Sequence, residues 1–394
     1  MATDTHHHSH TMQAWRADED APLWASAQDE LVHTDDGRTL LDLSMDHGAC
    51  LWGHGSIMER VMRRYDAAAL ATGLGSTHST VLRERATDEL VGWARQYWDN
   101  QPELVAGILH TGAEAVEAAV KTAIAATGRP GVVTFQGAYH GSFGLAAGAT
   151  SSDSAREAFD DTVEFEHVRR ERYGSIPLLD ERVACVVAEP IQGATGVQVP
   201  SDDWLDSLRE ECTRAGAMLI LDDVLVGAGR TGRALEGASC GPDIVTLAKA
   251  IGGGVICSAV VARSEVAEAA WEGDDPPSLS TTYYGHPLSC AAILEVLELH
   301  EREDLAGLGD RVASAIREAA AEAGITARGR GAFWALDTGS RDGGAELAKA
   351  LLQRGVIVTP SGSDDEAVML TPSLRMTDES LHWLHEAIVA AVSG

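Results

Sequence analysis

Three lysines occur in the whole chain, Lys121, Lys249 and Lys349, so covalent lysine chemistry has few candidates. Lys121 lies in the alanine-rich stretch AEAVEAAVKTAIAA and Lys349 in GGAELAKALLQRG. Both have helical spacing and an acidic residue three or four positions earlier (Glu117, Glu346), the signature of solvated helix faces. Lys249 differs. It follows the apolar run DIVTLA and precedes Gly252-Gly253-Gly254, where a strand would open into a glycine-rich loop. A lysine there can be desolvated, which lowers its pKa, and small neighbours leave room for a flat ligand. Taken alone, it reads equally well as a packing lysine.

Other residues offer complementary chemistry. Asp222-Asp223 ends the apolar run MLIL, and a carboxylate at a sheet edge needs a partner to offset its desolvation. A protonated pyridine nitrogen would be such a partner and would keep the ring an electron sink. A strand-end aspartate is otherwise often a turn or helix cap. His110-Thr111-Gly112-Ala113-Glu114 joins a strand to a helix start, where exposed N–H groups suit a phosphate. Tyr139 follows the run VVTF by a short loop and could stack on a flat ring or simply pack.

These residues must be positioned by a sheet. LVAGIL (104–109), VVTF (132–135), VACVVA (183–188), MLILDDV (218–224), DIVTLA (243–248) and VICSAVVA (255–262) read as strands. Helical stretches are expected from about Ala113 to Thr127, ended by Gly128, and from about Asp203 to Arg214. Continuous apolar runs alternating with helices imply a mostly parallel sheet covered on both faces, with its site at the carboxyl ends of the strands. From about Pro287 the pattern changes to a long helix (288–301), then helix and strand pieces ending in a helix near 378–392. LVHTDDGRTLLDLS reads as a hairpin turning at Asp35, Asp36 and Gly37. A chain of 394 residues exceeds one compact core. Residues 1–50 and 287–394 are expected to form a small α+β domain beside a large one spanning 51–286.

Composition excludes some functions. Sixty acidic residues against 30 basic ones give a formal charge of −30, which argues against nucleic acid or an anionic membrane as partner. No apolar run is long enough to cross a bilayer, and the first residues lack a secretory signal pattern, so a cytoplasmic location is expected. Six cysteines without a CxxC pair read as buried reduced thiols. His6, His7, His8 and His10 lie in a polar tail with no further ligand set, and no metal is expected.

Together the motifs GAEAVEAAVKTA, FQGAYHG, AEPIQGATGV, LILDDVLVGAGRTGR, PDIVTLAKAIGGG and TTYYGHPLSCAA resemble, in order and spacing, those of class III aminotransferases. That is the fold type I group that includes ornithine, 4-aminobutyrate and diaminopelargonate aminotransferases and glutamate-semialdehyde aminomutase. The resemblance covers roughly residues 25–390. It implies a pyridoxal 5′-phosphate enzyme with a mostly parallel seven-stranded sheet. Lys249 would carry the cofactor as a Schiff base and then move the proton between Cα and C4′. Asp222 would hold the pyridine nitrogen, with Val224 on one ring face and Tyr139 on the other. Gly112 and Ala113, with Thr111 beside them, would bind the phosphate. Thr282 would reach the phosphate of a partner subunit, making the enzyme a homodimer, and Glu189 would stand near the substrate side.

The chain departs from that family in four places. Ala113 replaces the usual Thr or Ser after the phosphate-loop glycine, a loss of about 1 kcal/mol of cofactor binding. Leu225 stands where Gln or Met is common, and TYYGHP, with Tyr283 and Tyr284, replaces TFGGNP. Met369 falls where many relatives carry an arginine that clamps the substrate carboxylate, and a thioether cannot replace that fork of donors. Arg375, six residues on, would need another loop path to substitute, and the part played by Arg230 stays open. The expected reaction is ping-pong transfer from an amine or amino-acid donor to a ketone or aldehyde lacking an α-carboxylate. A modified peptide end, as in the tailoring of daptide-like ribosomal peptides, is one such acceptor. The alternatives are an aminomutase, a racemase or a decarboxylating transaminase of the same family. A scaffold retained only for binding predicts loss of the lysine or its aspartate, and both are present.

Overall fold

In the computed structural model the described residues are 23–71, 78–151, 167–272, 279 and 281–393. The histidine tail lies outside them. The described residues include fifteen strands. The first three are β1 (Trp24–Gln28), β2 (Leu31–Thr34) and β3 (Thr39–Asp42). The next seven are β4 (Leu104–Leu109), β5 (Gly131–Phe135), β6 (Val168–Glu171), β7 (Val183–Ala188), β8 (Met218–Asp222), β9 (Ile244–Leu247) and β10 (Ser258–Arg263). The last five are β11 (Thr326–Arg330), β12 (Phe333–Asp337), β13 (Val356–Ile357), β14 (Thr359–Ser361) and β15 (Ala367–Leu370).

Seven strands form the large sheet in the order β4-β10-β9-β8-β7-β5-β6. β10 runs antiparallel to both neighbours, and the pairs from β9 out to β6 are parallel. The six apolar runs picked out in the sequence all lie here. Their alternation feeds two cores. Leu219 and Leu221 of β8 join the cluster that holds Trp93, Trp204 and Ile293, while Ile220 joins the one that holds Val116, Ala119 and Val120. Successive side chains of a strand point to opposite faces, so a strand apolar throughout is one with helices on both sides.

The helix expected near Ala113 runs over Gly112–Thr127 and ends at Gly128, which takes the left-handed φ of 66°. Its start is a capping box. The Thr111 side chain accepts from the Glu114 N–H, and Glu114 reaches back to the Thr111 N–H. The run at 255–262 begins its strand later than expected, at Ser258, because Gly253 and Gly254 are left-handed (φ 56° and 94°) and turn the chain first.

The two ends of the chain meet. β13 pairs in parallel with β3, matching Val356 to Leu41 and Ile357 to Asp42, in the sheet β1-β2-β3-β13. A second sheet, β11-β12-β15-β14, is antiparallel throughout. All six cysteines are buried and free, as their apolar settings imply. No helix among the described residues is long and apolar enough to cross a membrane.

Candidate active site

The carboxyl ends of β4, β5, β7, β8 and β9 bring together the residues singled out above. Asp222 closes β8 and is buried. Its Oδ1 accepts from the Val224 N–H and the Thr246 hydroxyl, each at 3.1 Å. Its Oδ2 lies 2.6 Å from Nδ1 of His140, whose Nε2 is 3.1 Å from the Thr134 hydroxyl. The carboxylate is therefore held at three points, which fixes its plane. Burial opposes charge on His140, but the hydrogen bond and charge of Asp222 outweigh it and raise the imidazole above its usual value. Sequence pattern singles out Tyr139 and passes over His140. The one available signal was a histidine beside a loop aromatic, and histidines are common in such loops.

Lys249 begins a single helical turn after β9 with a left-handed φ of 47°, an uncommon state for a residue with a side chain. Burial lowers its pKa, while the charges of Asp222 and Glu189 act to raise it. Lys121 and Lys349 are both exposed, as their helical settings predict. Glu189 follows β7 and is buried. It accepts from the Tyr139 N–H at 2.8 Å and the Gly193 N–H at 3.3 Å. Burial pushes its carboxyl up to about 7, against the lowering effect of His140.

Gly112 faces Val224. A Cβ at Gly112 would come within 2.9 Å of the Val224 Cγ1, so only glycine permits this approach. Gly141 likewise abuts Ala113, where a Cβ would fall 2.6 Å from the alanine's own, and this draws the Tyr139 loop over the helix start. The N–H groups of Gly112 and Ala113 sit in the first helical turn, where no intrahelical acceptor exists. Thr111 differs in that its N–H and hydroxyl both engage Glu114. The Tyr139 ring is half exposed, with its hydroxyl 3.1 Å from that of Ser142. Thr282 is exposed, and the carbonyl of the next residue, Tyr283, lies 2.8 Å from Nε2 of His110.

A family model for class-III aminotransferases matches residues 17–392. The chain belongs to the class III aminotransferases. Members of that family are transferases that use pyridoxal 5′-phosphate. The acetylornithine aminotransferase of Methanopyrus kandleri is 39% identical over 240 residues, covering 58% of this chain and 60% of that protein. The putrescine aminotransferase of Pectobacterium atrosepticum is 36% identical over 291 residues, covering 68% and 62%. The matches thus span about three fifths of each of these curated relatives. Among solved structures, the ornithine aminotransferase of Toxoplasma gondii superposes with a TM-score of 0.82 at 23% identity, covering 96% of this chain and 92% of that one.

The class III cofactor fits the residues present. A lysine at the strand end, a carboxylate fixed on three partners, and a glycine cradle closed by Val224 match an amine-reactive aldehyde, a ring nitrogen and a phosphate respectively.

Elsewhere in this class III chain, Arg230 is wholly buried and donates to the carbonyls of Gly48 (2.8 Å), Ala332 (3.2 Å) and Pro372. It ties the N-terminal and C-terminal pieces to the loop after β8. Burial lowers its pKa to about 9. Arg375 pairs with Glu303 and lies over the Trp52 ring, 5.1 Å from its centroid. Two of the departures from the family pattern converge. Leu225 and Met369 belong to one apolar cluster with Phe333, Ile191 and Val226. A Cβ at Gly193 would meet Leu225 at 2.3 Å, Phe333 at 3.2 Å and the Met369 sulfur at 3.7 Å.

Proposed function

We propose that this chain transfers an amino group from an amine or amino-acid donor to a ketone or aldehyde that carries no α-carboxylate at the Met369 position. The observation that carries this reading is the closure of Leu225, Phe333 and Met369 around Gly193. An apolar cluster there offers no donors to a carboxylate and would desolvate it without compensation. The two arginines left open by the sequence do not supply a clamp. Arg230 gives its Nη1 and Nη2 groups to backbone carbonyls, and Arg375 pairs with Glu303.

In this reading Lys249 would hold the cofactor covalently and would take and return the proton at the substrate Cα. Its lowered pKa favours the neutral amine that such a base requires. The bound cofactor supplies an electron sink for the Cα–H electrons. Asp222, oriented by His140 and Thr246, would hold the ring nitrogen. Val224 and Tyr139 would cover the two ring faces, and Gly112 and Ala113 would give backbone N–H groups to the phosphate, with Thr111 capping the helix that presents them. Thr282 reaches the phosphate of a partner subunit, so the working enzyme is a homodimer, and Glu189 holds the Tyr139 loop on the substrate side. Residues 51–286 form the large domain. Of the described residues, 23–50 and 287–393 form the small one, supported by the β3–β13 pairing.

The test begins with donor alone. A transaminase shifts its absorbance from about 410–430 nm to about 330 nm without acceptor, whereas a racemase does not accumulate the second form. Matched acceptor pairs, one with and one without an α-carboxylate, then report selectivity. Preference for the ketone or aldehyde is expected, and better turnover of the keto acid would overturn the acceptor assignment.

A further inference from the structure

A second group of chemically capable side chains lies behind the Lys249 loop. Asp46, Cys50 and His54 each present one ligand atom, and these atoms all lie within 4.8 Å of one another. The Cys50 sulfur is 3.5 Å from Asp46 Oδ2, and His54 Nδ1 is 4.0 Å from the same oxygen. Ligands of a tetrahedral zinc ion, with bonds of about 2.0–2.3 Å, stand roughly 3.3–3.8 Å apart, so small side-chain rotations would complete such a set.

The histidine is already oriented for this. Its Nε2 lies 2.9 Å from Asp42 Oδ2, and Asp42 in turn accepts from the Ser44 N–H at 2.7 Å and the Ser44 hydroxyl at 2.6 Å. A buried carboxylate on one ring nitrogen leaves the other free to ligate and fixes the ring plane, the arrangement that outer carboxylates give to metal-binding histidines. The backbone presents the third ligand. Met45, Asp46 and His47 are consecutively left-handed (φ 44°, 52° and 52°), and this turn places exposed Asp46 over buried Cys50 and His54. One side of the group therefore opens to water, which can fill a fourth position.

We propose that Asp46, Cys50 and His54 bind one zinc-like divalent cation, with water as the fourth ligand. The thiol proton leaves to solvent as the metal–sulfur bond forms. Sulfur, imidazole and a single carboxylate select a borderline cation such as Zn²⁺ or Co²⁺ over Mg²⁺ or Ca²⁺, which prefer all-oxygen sets. The site touches the catalytic loop, because a Cβ at Gly254 would lie 2.9 Å from the Cys50 sulfur. A bound cation pins the 44–54 segment against the glycine turn that follows Lys249.

The experiment uses the full-length, cofactor-loaded chain with His6, His7, His8 and His10 changed to Ser, so that the tail contributes nothing. Co²⁺ is titrated in and followed by its visible d–d bands, beyond the cofactor's own absorbance. Intense tetrahedral bands that saturate at one equivalent, vanish on adding Zn²⁺ and survive excess Mg²⁺ are expected. Cys50→Ala should abolish them. Asp46→Asn, an exposed change that a left-handed position tolerates, should weaken binding at least tenfold while leaving the melting temperature of metal-free protein unchanged. A pale octahedral spectrum in the parent chain, or an unchanged titration in either variant, would overturn the site.

Discussion

Nδ1 of His140 and Oδ2 of Asp222 stand 2.6 Å apart, both buried, at the ends of different strands' loops. The pair gives a buried carboxylate at the sheet edge a close polar partner, and such hydrogen bonds offset its desolvation. His140→Leu removes that partner and should raise the dissociation constant for pyridoxal phosphate about tenfold, near 1.4 kcal/mol. Cofactor titration by absorbance checks this, with the pH profile of turnover recorded alongside. Unchanged affinity and an unchanged profile would reduce His140 to packing.

Lys249→Ala should give a protein that binds the cofactor reversibly, if at all. Borohydride reduction followed by peptide mass mapping should mark the 249 peptide in the parent chain and no peptide in the variant. Lys121→Ala and Lys349→Ala, both at exposed helix positions, should retain the mark. Label on either of those lysines would redirect the whole assignment.

Met369→Arg would place a guanidinium in a closed apolar cluster. A buried, unpaired charge destabilises by roughly 3 kcal/mol or more, so the melting temperature should fall by several degrees. Turnover of the native acceptor should fall with it. A rise in kcat/KM on that acceptor would sink the carboxylate-free reading.

Glu189 gives a pH test whose sign can be worked out. Its folded-state pKa, about 7, lies above the ordinary carboxyl value of 4.5 because burial disfavours the charge. The folded protein thus holds this proton to higher pH than the unfolded chain. The associated stability is complete below about pH 4.5 and is lost as pH rises through 7. Raised His140 acts in the same direction. Glu189→Gln should flatten part of the decline, by on the order of 2–3 kcal/mol between pH 5 and 8. Urea unfolding at the two pH values measures it, and parallel slopes in parent and variant would contradict the protonated carboxyl.

Much of the frame is legible in the chain because its signals are local. VACVVA can only be a strand buried on both faces, and Thr111 with Glu114 and Gly128 brackets one helix by rules that act within a few residues. β6 escaped notice for an equally local reason. Its sequence VRRE is an edge strand with no fully buried residue, so it carries no apolar run. The helix start at Gly112 and the loop at Tyr139 were recognisable, while their closeness was not, since it depends on Gly141 meeting Ala113 across the fold.

By itself the sequence determined that Lys249 stands at a strand end before three glycines and that Asp222 closes another apolar strand. Those are properties of residue type and near neighbours. The tertiary structure decided which groups share a partner. His140 and Asp222 are 82 positions apart, Arg230 donates to carbonyls from both ends of the chain, and Leu225 and Met369 close on one glycine. Desolvation and charge pairing depend on what lies within a few ångströms in space, and chain order carries no direct record of that distance.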